Sequence, residues 1–102
     1  MAGWEDITVG DYGFEGRLCV TQRGEPQNIS GFVTLEYELR YAKTNTDKVV
    51  TASFLTDGTD GWLTYTFLPG DIDATGRWRV RSVISRNNER LTSDWIIFEV
   101  MP

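Results

Sequence analysis

Apolar and polar residues alternate with a period of two through most of this chain. From 14 to 20, Phe14, Gly16, Leu18 and Val20 share one side, while Glu15, Arg17 and Cys19 take the other. From 32 to 41, Val33, Leu35, Tyr37, Leu39 and Tyr41 oppose Thr34, Glu36, Glu38 and Arg40. From 77 to 84, Trp78, Val80, Ser82 and Ile84 alternate with Arg77, Arg79, Arg81 and Val83. Residues 49 to 55, 62 to 68 and 91 to 100 are rich in β-branched and aromatic side chains. Period two is the repeat of a strand with one face buried. The segment from 32 to 42 holds good helix formers, but a helix would scatter its apolar residues around the cylinder. Between these runs lie Gly24–Asn28, Lys43–Asp47, Asp57–Gly61, Pro69–Asp71 with Ala74–Gly76, and Arg86–Glu89. Their Gly, Pro, Asn and Asp residues supply the backbone angles that chain reversals need.

The pattern predicts about seven strands, near 5–9, 14–22, 32–42, 48–55, 61–68, 76–86 and 91–100. Seven short antiparallel strands in a chain of 102 residues predict an all-β, immunoglobulin-like sandwich, with a small barrel as the competing arrangement. The expected core is Leu18, Val20, Val33, Leu35, Tyr37, Leu39, Trp78, Val80, Phe98 and Val100. Cys19 is out of phase with Leu18 and Val20, and the chain has no second cysteine near Trp78. The expectation is an immunoglobulin-like shape without the intersheet disulfide of antibody domains.

Length and composition narrow the function. One hundred and two residues suit a single domain spanning 1–102. With 40% apolar and 13% aromatic residues, the chain can bury a core. Fifteen acids against 10 bases give a formal charge of −5, which offers no general attraction for nucleic acid or an anionic membrane. With no histidine and one cysteine, the chain cannot form a Cys/His zinc site, a His-dependent triad or an internal disulfide. The first residues, Met1–Asp6, bring acids where a secretion signal needs bases, and no run approaches the roughly 18 apolar residues of a membrane span. The chain thus reads as a complete protein made in the cytoplasm.

Candidate chemistry is sparse. Asp57-Gly58-Thr59-Asp60-Gly61 suggests calcium, but from Asp57 the fifth position is Gly61 and the twelfth Leu68, where an EF-hand needs oxygen ligands. A hairpin turn explains it better. The carboxylate pairs Glu36/Glu38 and Asp71/Asp73 read as solvated strand or loop positions rather than an acid–base pair. Ser82, Ser85 and Ser93 lack a histidine to activate them, and there is no glycine-rich phosphate loop. Asn28-Ile29-Ser30 matches a glycosylation sequon in a chain without a secretion signal. The expectation is no enzyme and no cofactor.

Two surface features remain. Arg77, Arg79 and Arg81 form a stripe that could bind an anion, or could be neutralised across the ladder by Glu36 and Glu38 of a neighbouring third strand. The neutralised reading is preferred. Trp95, Ile97 and Trp62 are left over once one face of each strand is assigned to the core. They, with Trp4, are candidates for an aromatic patch that contacts a partner protein; a second covered face is the equal alternative.

An ordered series of short motifs adds a family. Gly24-Glu25-Pro26-Gln27-Asn28-Ile29-Ser30-Gly31, then Val33-Thr34-Leu35, resembles a turn–strand pattern of phage baseplate upper-protein N-terminal domains and related immunoglobulin-like tail modules. Asp60-Gly61-Trp62-Leu63-Thr64-Tyr65-Thr66-Phe67, Thr75-Gly76-Arg77-Trp78-Arg79-Val80, and Leu91-Thr92-Ser93 before Phe98-Glu99-Val100 are similar to that family's later strands. The resemblance spans about residues 7 to 100. It implies a non-enzymatic virion structural protein of tail, baseplate or neck, assembling with other virion proteins and with copies of itself. The alternative is a β-sandwich that recognises carbohydrate or a host protein through Trp62, Trp95 and tyrosines.

Overall fold

The computed structural model describes residues 4–102. Eleven strands are defined: β1 (Ile7–Thr8), β2 (Glu15–Cys19), β3 (Thr21–Gln22), β4 (Glu25–Pro26), β5 (Thr34–Tyr41), β6 (Thr46–Thr51), β7 (Ser53–Phe54), β8 (Trp62–Thr66), β9 (Gly76–Arg86), β10 (Glu89–Thr92) and β11 (Ile96–Met101). The chain is all-β and predominantly antiparallel. One sheet runs β1-β11-β9-β5-β6, with β10 continuing beside β9; the second runs β2-β8-β7. Among the described residues only β1 against β11 is parallel.

The count exceeds the expected seven because three predicted strands break in two, and because the expected Gly24–Asn28 reversal contributes the short strand β4. The 14–22 run ends at Val20, and β3 folds back on β4 through Arg23 and Gly24, both at positive φ (54° and 79°). That pairing of left-handed residues is the two-residue turn that suits the twist of a hairpin. The 48–55 run starts earlier, at Thr46, and breaks at Ala52. There the chain leaves β5 and crosses to the second sheet as β7, with the Ala52 amide still donating to the Leu35 carbonyl at 2.9 Å. The 91–100 run divides into β10 and β11.

The two sheets pack face to face over one apolar cluster. Tyr37, Leu39, Trp78, Val80, Ile84, Phe98 and Val100 come from the larger sheet, and Leu18, Leu63 and Phe67 from beside the smaller. The Tyr37 hydroxyl crosses the core to donate to the Gly16 carbonyl at 3.0 Å. Loops contribute Ile29, Phe32 and Ile72, all buried. Of the expected core, Val33 is a correction: it is 79% exposed, and Leu35 is only half-buried. The alternation of β5 starts at Thr34. Ahead of it a turn closes from the Phe32 amide to the Ile29 carbonyl and sends Phe32 inward instead.

Gly61 is set where β8 begins. Its φ is +80°, and a Cβ there would lie 2.7 Å from the Gln27 carbonyl oxygen. Its own carbonyl accepts from the Val20 amide at 2.8 Å.

Candidate functional site

The outward positions of the larger sheet are filled by arginines because β9 alternates so regularly. Trp78, Val80, Ser82 and Ile84 are buried, so Arg77, Arg79, Arg81 and Val83 must point the other way. β9 is central, with β5 on one side and β11 on the other. Register then places Arg81 opposite Glu38, Arg79 opposite Arg40, and Glu36 opposite Val83. On the far side Ile97 faces Arg79 and Glu99 faces Arg77.

The charges pair accordingly. Arg81 Nη2 reaches Glu38 Oε1 at 3.1 Å, in a partly buried pair. Arg77 pairs with Glu99 at 3.0 Å, not with Glu36 or Glu38 as the sequence suggested. The reason is register: the two glutamates lie opposite Arg81 and Val83, two and four rungs past Arg79, while Arg77 lies beyond the Tyr41–Trp78 pair. Glu36 makes no ion pair among the described residues. Arg40, on the polar side of the alternation but not among the candidate site residues, forms two hydrogen bonds to Asp47 of β6, at 2.6 and 3.1 Å. The guanidinium holds the Asp47 carboxyl below its ordinary value, chiefly through that hydrogen bond.

Arg79 has no acid partner among the described residues. It faces Trp95 instead. The guanidinium carbons of Arg79 and Arg40 both lie 5.0 Å from the indole ring centre, and that of Arg81 lies 4.3 Å away. Three cations thus frame one half-buried tryptophan, in the range where a ring quadrupole attracts cations. The Nε atoms of Arg79 and Arg81 are buried and make no hydrogen bond.

A bulge aims Trp95. Thr92 faces Val83, and Ile96 faces Val80. Four steps along the outer strand therefore meet three along β9, and one residue between 92 and 96 is extra. The Ser93 hydroxyl takes the place of a ladder carbonyl, accepting from the Ser82 amide at 2.9 Å, while the Ser93 amide donates to the Ser82 carbonyl at 3.0 Å. Past the bulge Phe98 and Val100 point inward, and Trp95 and Ile97 lie on the arginine face. Ile97 is 60% exposed, and Val49 of β6, opposite Glu38, is 59% exposed.

The remaining candidates lie elsewhere. Trp4 is not on this face: its indole packs against Tyr37, Phe67 and Phe98, with ring centres at 6.3, 5.7 and 5.3 Å. Its Nε1 donates to the Arg17 carbonyl at 3.0 Å. Leu63 is buried, so Trp62 points out from the opposite sheet, opposite Cys19 and 38% exposed. Trp62 and Trp95 therefore cannot form one patch. The Cys19 thiol is pushed up by burial and by Asp60.

The acidic loops are tied down. Asp57 Oδ1 accepts from the Thr59 amide and hydroxyl at 3.0 and 2.6 Å, an Asx turn. Asp71 accepts from the Tyr65 hydroxyl at 2.5 Å, and Asp73 pairs with Lys48 at 2.9 Å. Among the described residues no three His, Cys, Asp or Glu side chains converge to hold a metal. The chain matches no protein-family model and no curated protein.

Proposed function

We propose that this chain is a non-enzymatic structural module of a phage virion, and that the arginine-framed Trp95 face of its larger sheet is where it contacts another virion protein. The observation that carries the interface is Trp95 among Arg40, Arg79 and Arg81, with Ile97 exposed beside it. Tryptophan and arginine are the residues most enriched at the energetic centres of protein interfaces. Here bulge, ladder and ion pairs hold them in fixed positions, so little side-chain entropy is lost on docking.

The phage assignment rests on the ordered motifs from Gly24 to Val100. The strand order supports an immunoglobulin-like reading of those motifs: β2-β8-β7 over β6-β5-β9-β11 follows the B-E-D and C′-C-F-G order of such sandwiches. The arrangement of Trp95 weighs against a sugar platform there, because guanidinium groups crowd the ring that a sugar would need. Trp62, exposed on the opposite sheet, is the residue on which carbohydrate binding would depend.

Quantitative mass spectrometry of purified particles tests the proposal. The expected result is this chain at a fixed copy number, in a symmetry-related multiple of a tail or neck protein. Its absence from washed particles, with glycan binding by the isolated domain that Trp62→Ala abolishes, would replace this reading with the recognition module.

A further inference from the structure

The larger sheet ends on β6, and the hydrogen-bond phase of that strand shows which groups remain free. The Ala52 amide bonds to the Leu35 carbonyl, so the pairs Leu35/Ala52, Tyr37/Val50, Leu39/Lys48 and Tyr41/Thr46 are the hydrogen-bonded ones. The N–H and C=O groups of Asp47, Val49 and Thr51 therefore point away from β5. Among the described residues no strand or side chain bonds to them.

The other edges are guarded. The free edge of β2 is capped where the Trp4 indole donates to the Arg17 carbonyl. β1 and β7 are two residues each, and β10 carries Glu89 and Arg90. Short or charged edges resist pairing. β6 is six residues long, with no proline and no bulge. Its two charges are drawn back into the molecule: Asp47 to Arg40 at 2.6 Å, and Lys48 to Asp73 at 2.9 Å and to the Gly70 and Asp71 carbonyls.

We infer that β6 pairs with β6 of a second copy of this chain, antiparallel about a twofold axis at Val49, joining the two larger sheets into one. This rests on the proposed assembly role and names one of its partners. The choice of a second copy follows from the register. Only odd-to-odd pairing matches the free groups. Centring on Lys48 would oppose the two Lys48 side chains, and centring on Asp47 would oppose the two Asp47 side chains. Centring on Val50 leaves Asp47 outside the partner's β6. Centring on Val49 sets Val49 against Val49, Asp47 against a Thr51 hydroxyl and Lys48 against Val50. It also makes about six backbone hydrogen bonds. The 59% exposed Val49 is thereby covered on the outer face. An isologous contact of this kind closes as a dimer and does not propagate.

Sedimentation of the full chain over a range of concentrations tests this, together with cross-linking. The wild type is expected to show a monomer–dimer equilibrium that Val49→Lys weakens about tenfold or more, while the two melting temperatures agree at dilutions where both proteins are monomeric. In a Cys19→Ser background, Val49→Cys should oxidise to a covalent dimer, because opposed Cα atoms sit about 5.5 Å apart, within disulfide reach of about 4.4–6.8 Å. Asp47→Cys should not, since the two copies of residue 47 are offset by about 13 Å. A wild type that stays monomeric overturns the inference, as does cross-linking that is equal at 47 and 49 or a dimer indifferent to Val49→Lys. None of these results touches contact with other proteins at Trp95, which is read out on different residues.

Discussion

The hydroxyl of Ser93 accepts the amide of Ser82 at 2.9 Å, and the Ser93 amide returns the bond to the Ser82 carbonyl at 3.0 Å. This pair lets the ladder absorb one extra residue. It turns Trp95 onto the arginines while Phe98 and Val100 stay in the core. Ser93→Ala removes the acceptor and leaves the Ser82 amide, on a fully buried residue, without a partner. The expected cost is about 1–3 kcal/mol, read from denaturant unfolding. A loss below a few tenths would show that the bulge does not depend on Ser93.

Ser82→Ala should behave in the opposite way. The Ser82 hydroxyl is buried and unpaired among the described residues. Removing it relieves an unsatisfied polar group and leaves the backbone bonds to Ser93 in place. Stability should be unchanged or rise by about 1 kcal/mol. Destabilisation beyond that would mean the hydroxyl has a partner.

The two ion pairs of the β9 stripe should differ. Arg81–Glu38 is partly buried, at 27% and 17% side-chain exposure, whereas Arg77–Glu99 is open at 64% and 53%. A double-mutant cycle on Arg81 and Glu38 should give a coupling of about 1 kcal/mol, and one on Arg77 and Glu99 about 0.3 kcal/mol or less. Equal couplings would remove burial as the reason the first pair is ordered.

The acid limb of the stability curve has a defined sign. Arg40 lowers the Asp47 carboxyl, and the Thr59 hydroxyl and amide lower that of Asp57. Both groups bind protons less readily folded than unfolded. Their contribution is therefore complete above the unfolded value of about 3.9 and is lost as pH falls through the folded values. Cys19, Tyr37 and Tyr65 are shifted upward, which favours their neutral forms in the fold. Stability from those groups is lost on the alkaline side, as pH rises through their folded values. With no histidine, melting temperature should be flat from about pH 5 to 8. A step within that window would contradict this assignment.

Two glycines should respond unequally to alanine. At Gly61 the added Cβ meets the fixed Gln27 carbonyl at 2.7 Å with φ at +80°; at Gly16 it meets the Trp4 ring. Trp4 lies near the chain start and can swing away. Gly61→Ala should therefore cost about 2 kcal/mol or more. Gly16→Ala should cost less and expel an indole, seen as a red shift in tryptophan emission. The reverse ranking would show that Trp4 is held more firmly than the backbone at Gly61.

The sequence carried the sheet well where strands are long and one-sided. β9 runs from Gly76 to Arg86, matching the span its alternation predicts, and the third and sixth predicted strands are neighbours, which places Glu38 against Arg81. Alternation failed where the chain turns into a strand: Val33 kept the phase of β5 but lies before its ladder, and Phe32 took the buried place. Ile29 and Ile72 are buried from loops, which periodicity cannot register. Arg40 and Asp47 were legible only in hindsight, since their meeting depends on the register between β5 and β6. Trp4 looked like free apolar surface because its contacts come from both sheets, far away in sequence.

The central claim, that this sheet face is an interface, is most directly tested by the occupancy of an Ile97→Glu variant in assembled particles. Ile97 is 60% exposed, so the isolated variant should fold with a melting temperature within a few degrees of wild type. The account predicts that this folded protein enters particles at least about tenfold less than wild type when the two compete. Wild-type occupancy of the folded variant would contradict it.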